Sequence, residues 1–298
     1  RVEVDAFGHV RKGGVVDFLS EVLKESLGTS IRNDKPGYLQ RSFGELISPV
    51  DREEAWLDSA IPRDRRWPYD VRPILDSVFD RGSVFETGRA WGKSIITALA
   101  RLDGVAVAVL ASDPGQMGGT WTAAASRKLT RHIELAETFR LPIVHLVDVG
   151  GFTIGSQAEK AGTIRDGTRA LATVYQSTVP WAVVILRRAF GVAGAGILNH
   201  TRFRYRIAWP SGDWGSLPAE GGIEAAYKAQ IEASADPQAT RREIAERLER
   251  LRSPFRSAER FFVEEIVAPS TTRRWLCEFA ALTAALPPTP PARFHYRP

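Results

Sequence analysis

Cysteine is almost missing from this chain: Cys277 stands alone among 298 residues. A single thiol closes no internal disulfide and builds no cysteine zinc cluster, and its scarcity suits a reducing cytoplasm. Long hydrophobic runs are missing too. None approaches the roughly 20 apolar residues that a membrane-spanning helix needs, and stretches such as 105–111 are of strand length. No secretory signal opens the chain, which begins on Arg1 rather than Met, the start expected of a processed, trimmed or fragmentary chain. There is no GKS or GKT of a phosphate-binding loop, no full GxGxxG in a strand–loop–helix setting, and no RNP, zinc-finger or helix-turn-helix signature. No dense basic block is present, so nucleic acid is not the expected partner. No metal site is evident.

What remains is ordinary for a globular protein with a proper core: 44% hydrophobic and 25% charged residues. The net charge of +5 suits an anionic ligand, although the excess is arginine-rich and has a second explanation in coding bias. Residues 1–65 are heterogeneous. A helical spacing over 15–27 is followed by scattered prolines and by Arg63-Asp64-Arg65-Arg66, the mark of a connector that meets a new domain near Trp67.

From Tyr69 the pattern becomes regular. It predicts a helix over 71–79, a turn at Asp80-Arg81-Gly82, and short strands at 84–86 and 95–99. A buried strand follows at 105–110, then a helix over 123–139, a strand at 143–149, a helix over 156–176 and a strand at 181–186. Such alternation argues for an α/β layered domain. Beyond it, 240–251 reads as a charged surface helix, 259–266 as a final strand or helical turn, and the proline-rich tail as extended.

Two loops carry the candidate chemistry. One is Asp148-Val149-Gly150-Gly151-Phe152-Thr153-Ile154-Gly155, and the other runs from Arg187-Arg188-Ala189-Phe190 through Gly191-Val192-Ala193-Gly194-Ala195-Gly196. Each follows a strand and is rich in small residues that let a ligand approach the backbone. On adjacent strands, two such loops can aim two N–H donors at one developing oxyanion, a contribution of roughly 3–4 kcal/mol for one donor. When each loop is taken alone, tight helix–strand packing is the simpler explanation of the same glycines. His200, beside Asn199, is the histidine near a candidate loop and reads first as a packing or surface residue.

In order along the chain, these residues resemble the C-terminal half of biotin-dependent acyl-CoA carboxylase carboxyltransferase (β) subunits. Tyr69-Asp70-Val71-Arg72 is similar to the family's YDVR, Phe85-Glu86 to its FE, and Ala100-Arg101-Leu102-Asp103-Gly104 to its ARLxG turn. The first loop resembles LVDVPGFxPG. Thr178-Val179-Pro180 with the second loop resembles TVPxxxxxxRKAYGGA. Ala208-Trp209-Pro210 and Ser253-Pro254-Phe255 resemble AWP and NPY, and 263–273 is similar to the family's closing VDDVIDPxxTR. The likeness spans about residues 69–277.

The resemblance implies a crotonase (ClpP)-like ββα superhelix forming a carboxyltransferase C-terminal, carboxybiotin-binding domain over 66–298. Residues 1–65 are then a remnant of the N-terminal domain with its linker. It implies transfer of a carboxyl group from carboxybiotin, held on a carrier protein, to the α-carbon of a short acyl-CoA of the acetyl or propionyl class. Gly191, Val192 and Ala193 would supply the catalytic backbone donors, while Gly150, Gly151, Phe152, Gly155 and Ala195 would line the biotin and acyl-CoA site. The implied partners are a biotin carboxylase and biotin carboxyl carrier subunit and further copies of the chain, in a dimer-based hexamer. Met117, the one methionine, has no lysine beside it, so biotin is not carried here, and no ATP-grasp signature is present. Val192 replaces a family glycine, which matters if that position needs positive φ. Two other readings stay open. One is a biotin-independent crotonase-superfamily hydratase or decarboxylase with Asp148 or Glu159 as base. The other is a non-catalytic, truncated subunit.

Overall fold

The runs at 105–110 and 143–149 carry no polar alternation, as strands buried on both faces require. In the computed structural model, which describes residues 48–197, 203–215 and 219–286, both lie within one eight-stranded sheet. Its strands are β1 (Phe85–Thr87), β2 (Ile95–Leu102), β3 (Val105–Ser112), β4 (Ile143–Val149), β5 (Trp181–Phe190), β6 (Arg204–Ala208), β7 (Asp213–Gly215) and β8 (Glu265–Ile266). The spatial order is β1-β2-β3-β4-β5-β6-β8, and β7 pairs with β5 off that path. β1, β2 and β3 are antiparallel, and every pairing beyond β3 is parallel.

The strand period of two sorts the side chains into two cores. Leu99, Leu110, Ile143, Val147, Val183 and Ile185 face one layer, with α2 (Ala123–Phe139) and α4 (Thr163–Gln176) over them. Val107, Val109, Val144, Leu146, Val184 and Leu186 face the other, under α1 (Arg72–Val78) and α9 (Thr272–Ala284). The helix α2 starts where the Thr122 side chain accepts from Ala125 N, and it stops at Arg140, whose φ is 55°. Leu129, Ile133 and Ala136 lie on its buried face at helical spacing. Residues 48–65 pack on the second layer: Leu57 is part of that core, and Arg52 donates to the Ser77 and Phe79 carbonyls.

Three expectations change. The helix expected over 156–176 is two helices, α3 (Ser156–Lys160) and α4, broken at Gly162 with φ of 75°. The second glycine-rich loop is a short helix, α5 (Gly191–Gly196), and the strand before it runs on to Phe190. Strands expected at 95–99 and 105–110 extend to Leu102 and Ser112. Helix α6 (Ala219–Glu232), unread in the sequence, pairs with α7 (Pro237–Arg252) around Ile223, Ile231 and Ile244. A short α8 (Pro254–Glu259) precedes β8. The helix expected at 15–27, His200 and the proline tail lie outside the described residues.

The scattered sequence signatures meet pairwise in space. Arg72 of YDVR makes a two-pronged bond to Glu86 of the FE strand (3.0 and 2.9 Å) and a third to Asp113 (3.0 Å). Arg273 of the closing TR donates to Asp80 (2.6 Å), whose carboxylate also accepts from Gly104 N in the ARLDG turn (2.9 Å). Trp209 of AWP donates to Thr272 Oγ1 at 2.8 Å. Buried Glu137 accepts from the Ser177 and Thr178 hydroxyls and from Val179 N, which fixes the TVP turn at the head of β5.

Candidate active site

The two glycine-rich segments leave the C-terminal ends of β4 and β5, which are adjacent and parallel. Their register shifts between Val147 and Val149, so that Val149 pairs with Ala189. Such a bulge re-aims the chain at a strand end. Behind it sits Asp148, fully buried. Its Oδ2 accepts from Arg187 Nε (3.0 Å) and Nη2 (2.9 Å), and its Oδ1 from Arg188 Nε (2.6 Å) and backbone N (3.2 Å). One carboxylate from the first segment thus holds two consecutive arginines that lead into the second. Arg187 reaches on to the Trp67 carbonyl (3.0 Å) and stacks over the Tyr69 ring. Burial pushes the Tyr69 phenol well above its ordinary range, and the Asp148 charge pushes the same way.

The first turn is shaped by backbone. Gly151 has φ of 110°, and a side chain there would lie 3.7 Å from the Phe190 carbonyl, so the two turns adjoin. Gly155 combines φ of 103° with ψ of 169°, a region essentially reserved to glycine. Gly150 packs beside Thr120. The Phe152 ring turns inward: it meets Trp121 edge-on, with centroids 5.6 Å apart, and occupies the space over Gly167. Phe152 is thus a packing residue of this turn, while Ile154 beside it is 93% exposed.

In the second turn the positive φ falls on Gly191, at 61°, and Val192 is not among the residues with positive φ. The valine therefore occupies its position without backbone strain. Its side chain is 65% exposed, Ala193 is fully buried and Ala195 is exposed. Gly194 and Gly196 have no room for a Cβ, which would lie 2.3 Å from the Ala189 carbonyl carbon and 2.1 Å from Leu171 Cδ2. These two are packing glycines. Gly191, Val192 and Ala193 open α5, where N–H groups have no acceptor within the helix.

A third segment, unsuspected as part of the site, completes the rim. Met117, Gly118 and Gly119 have φ of 49°, 63° and 71° in succession. The Gly118 carbonyl accepts from Arg188 Nη2 (2.9 Å), and a side chain on Gly119 would lie 2.3 Å from the Asp148 carbonyl. Trp121 N donates to the Gly151 carbonyl (2.9 Å), and Thr153 N to the Trp121 carbonyl (3.1 Å). The Gly118-Gly119 pair was the available signal, since such a dipeptide marks a turn.

Of the two candidate bases, Asp148 is committed to its arginines and Glu159 is exposed on α3. No group of three or more histidine, cysteine or acidic residues is arranged for a metal among the described residues, and none of their helices is long and apolar enough to cross a membrane.

The Carboxyl transferase domain family matches residues 16–298. The propionyl-CoA carboxylase beta chain of Roseobacter denitrificans is 31% identical over 285 residues, which cover 92% of this chain and 54% of that protein. The methylmalonyl-CoA carboxyltransferase 12S subunit of Propionibacterium freudenreichii subsp. shermanii is 32% identical over 80% of this chain and 46% of its own length. Among solved structures, a transcarboxylase 12S hexamer with methylmalonyl-coenzyme A bound superimposes with a TM-score of 0.77 at 28% identity, covering 87% of this chain and 52% of that one. The chain spans about half the length of these relatives. The likeness identifies the layered α/β architecture as crotonase-like.

Proposed function

Because the chain belongs to the Carboxyl transferase domain family, we propose that it is the carboxybiotin-side half of an acyl-CoA carboxyltransferase acting on a short acyl-CoA. The observation that carries this reading is the pair of backbone turns on adjacent strands β4 and β5, locked together by Asp148, with no side-chain base free beside them among the described residues. Chemistry of this division needs a preorganised pair of backbone donors and little protein acid–base work. When bound, carboxybiotin supplies both the carboxyl group and the base that takes the substrate's α-proton.

The chain's own residues bind and orient. The N–H groups of Val192 and Ala193, presented by Gly191, would hold the ureido oxygen of carboxybiotin. Gly150, Gly151 and Gly155 hold the opposite turn open, Phe152 braces it from beneath, and exposed Ala195 would leave room beside an acyl group. The fit rests on small residues, on the positive φ at Gly191 and on the exposure of Val192. Residues 1–65 are then the end of an N-terminal half and its linker, and the other half-site belongs to a second chain or segment. A biotin carboxylase, a biotin carboxyl carrier and a dimer-based hexamer of this chain are the partners that follow, and a cytoplasmic setting goes with them.

The test is carboxyl transfer in reverse, from methylmalonyl-CoA or malonyl-CoA to free biotin. It is run with this chain alone and with the N-terminal half of its relatives restored. Turnover in the restored protein only is the expected result, with the faster substrate naming the acyl group. Binding of CoA esters without turnover in either would overturn the proposal in favour of a biotin-independent enzyme or a scaffold.

A further inference from the structure

At the β1 edge of the sheet, away from both glycine turns, a cavity of about 340 Å³ opens between β1, β2 and one face of α2. Its floor follows from strand register. Phe85 pairs with Leu99 and Thr87 with Thr97, so all four side chains face one way. Its roof follows from helix period: Lys128, Arg131, His132 and Leu135 stand three and four residues apart on α2. Trp91 closes one side and is 43% exposed. The volume falls at the lower end of the range of small-molecule pockets, roughly 300–1,000 Å³.

The polar groups in this apolar space are unusual. Lys128 is only 4% exposed, yet its amine makes one hydrogen bond among the described residues, to the Ile95 carbonyl at 2.7 Å. An ammonium has three donors. The nearby acids are engaged elsewhere, because Glu86 and Asp113 both hold Arg72. His132 is buried with Nε2 lacking any partner. Arg131, one turn from Lys128, is exposed. Burial lowers the Lys128 pKa, the cost expected of a cation without a paired anion.

We propose that this cavity binds a small monocarboxylate with an apolar tail, its carboxylate between Lys128 and Arg131 and its tail against Phe85, Leu99 and Leu135. A lone carboxylate matches two cations on one wall, and an apolar floor selects against a small inorganic anion. The inference does not depend on the carboxyl-transfer reading.

Titration calorimetry of the whole chain with octanoate, and with octan-1-ol as the neutral counterpart, tests it. Octanoate binds saturably, and octanol binds about tenfold more weakly or less tightly still. Lys128→Met removes the preference for the acid, and Leu135→Trp, which fills the cavity without touching the cation, weakens both ligands. Two variants are used so that a folding defect in one leaves the other readable. Absence of saturable octanoate binding overturns the proposal. Equal binding of acid and alcohol in the wild type also overturns it, since the space would then be a greasy cleft indifferent to charge.

Discussion

The clamps that join distant signatures and the turns at the ends of β4 and β5 use their residues in opposite ways. In the clamps the side chain matters: Arg72, Asp80, Asp148 and Arg273 are chosen for charge and reach, and they are satisfied by specific partners. In the turns the side chain is mostly a liability. Gly191 and Gly155 are there for backbone shape, Gly194 and Gly196 for the absence of a Cβ, and Val192 points outward. An ordered family signature therefore mixes two kinds of information, and most of its charged residues build the frame rather than perform chemistry.

The largest effect expected from this contrast comes from cutting a clamp. Asp80→Ala leaves the Arg273 guanidinium buried without its counter-charge, a loss of about 3–5 kcal/mol. Urea unfolding measures it. A loss no larger than that of a surface substitution would falsify the view that the TR signature is a structural anchor.

That clamp also shows what the sequence could and could not tell. Strands at 105–110 and 143–149 and the helix at 123–139 were legible, because an apolar run or a 3.6-residue period is a local property. The two turns were legible from glycine content. Asp80 with Arg273 was not, for they lie 193 residues apart and nothing local marks them as partners. Helix α5 was read as a loop because glycine and alanine leave no apolar period to detect, and the break at Gly162 was hidden inside a continuous helical spacing. The role of Val192 needed its φ, which sequence does not carry.

A second prediction concerns titratable groups that, unlike the clamps, have no opposite charge to hold them. His145 on β4 is buried with neither ring nitrogen bonded, and burial depresses its pKa to about 3. His132 falls to about 4 for the same reason, partly opposed by the Ala98 and Val109 carbonyls. Both folded values lie below the unfolded value near 6.5. Their stabilising contribution is thus complete above about pH 6.5 and is lost as pH falls toward the folded values. Each histidine costs about 2 kcal/mol between pH 7 and pH 5. Unfolding followed over that interval shows the slope, and His145→Leu should remove about half of it.

Backbone shape is tested more gently at Gly155. A Cβ there meets nothing within 4 Å, so Gly155→Ala adds no clash and isolates the conformational term. Its φ and ψ place it in a glycine-only region, worth about 1–3 kcal/mol to an alanine. The expected outcome is a modest fall in unfolding midpoint. If the turn serves the proposed transfer, turnover by the restored protein falls further than stability does. An unchanged midpoint would mean that the turn relaxes freely and is not preorganised.

The smallest expected effect is the most discriminating. Val192 stands where the resembled signature carries glycine, and a glycine is needed there only if φ must be positive. Gly191 already supplies that conformation at 61°, and the Val192 side chain is 65% exposed. Val192→Ala should therefore shift stability by no more than about 0.5 kcal/mol, the usual range for a surface substitution. The backbone N–H is kept, so reverse carboxyl transfer by the restored protein should stay within about twofold of the wild type, a difference well under the 1.4 kcal/mol that marks a factor of ten. A large gain in turnover from Val192→Gly, with no gain from the alanine, would instead show that the turn changes conformation during catalysis and that the valine holds it in the wrong one. Parallel measurement of the two variants separates a backbone requirement from a side-chain one at this position of the second turn.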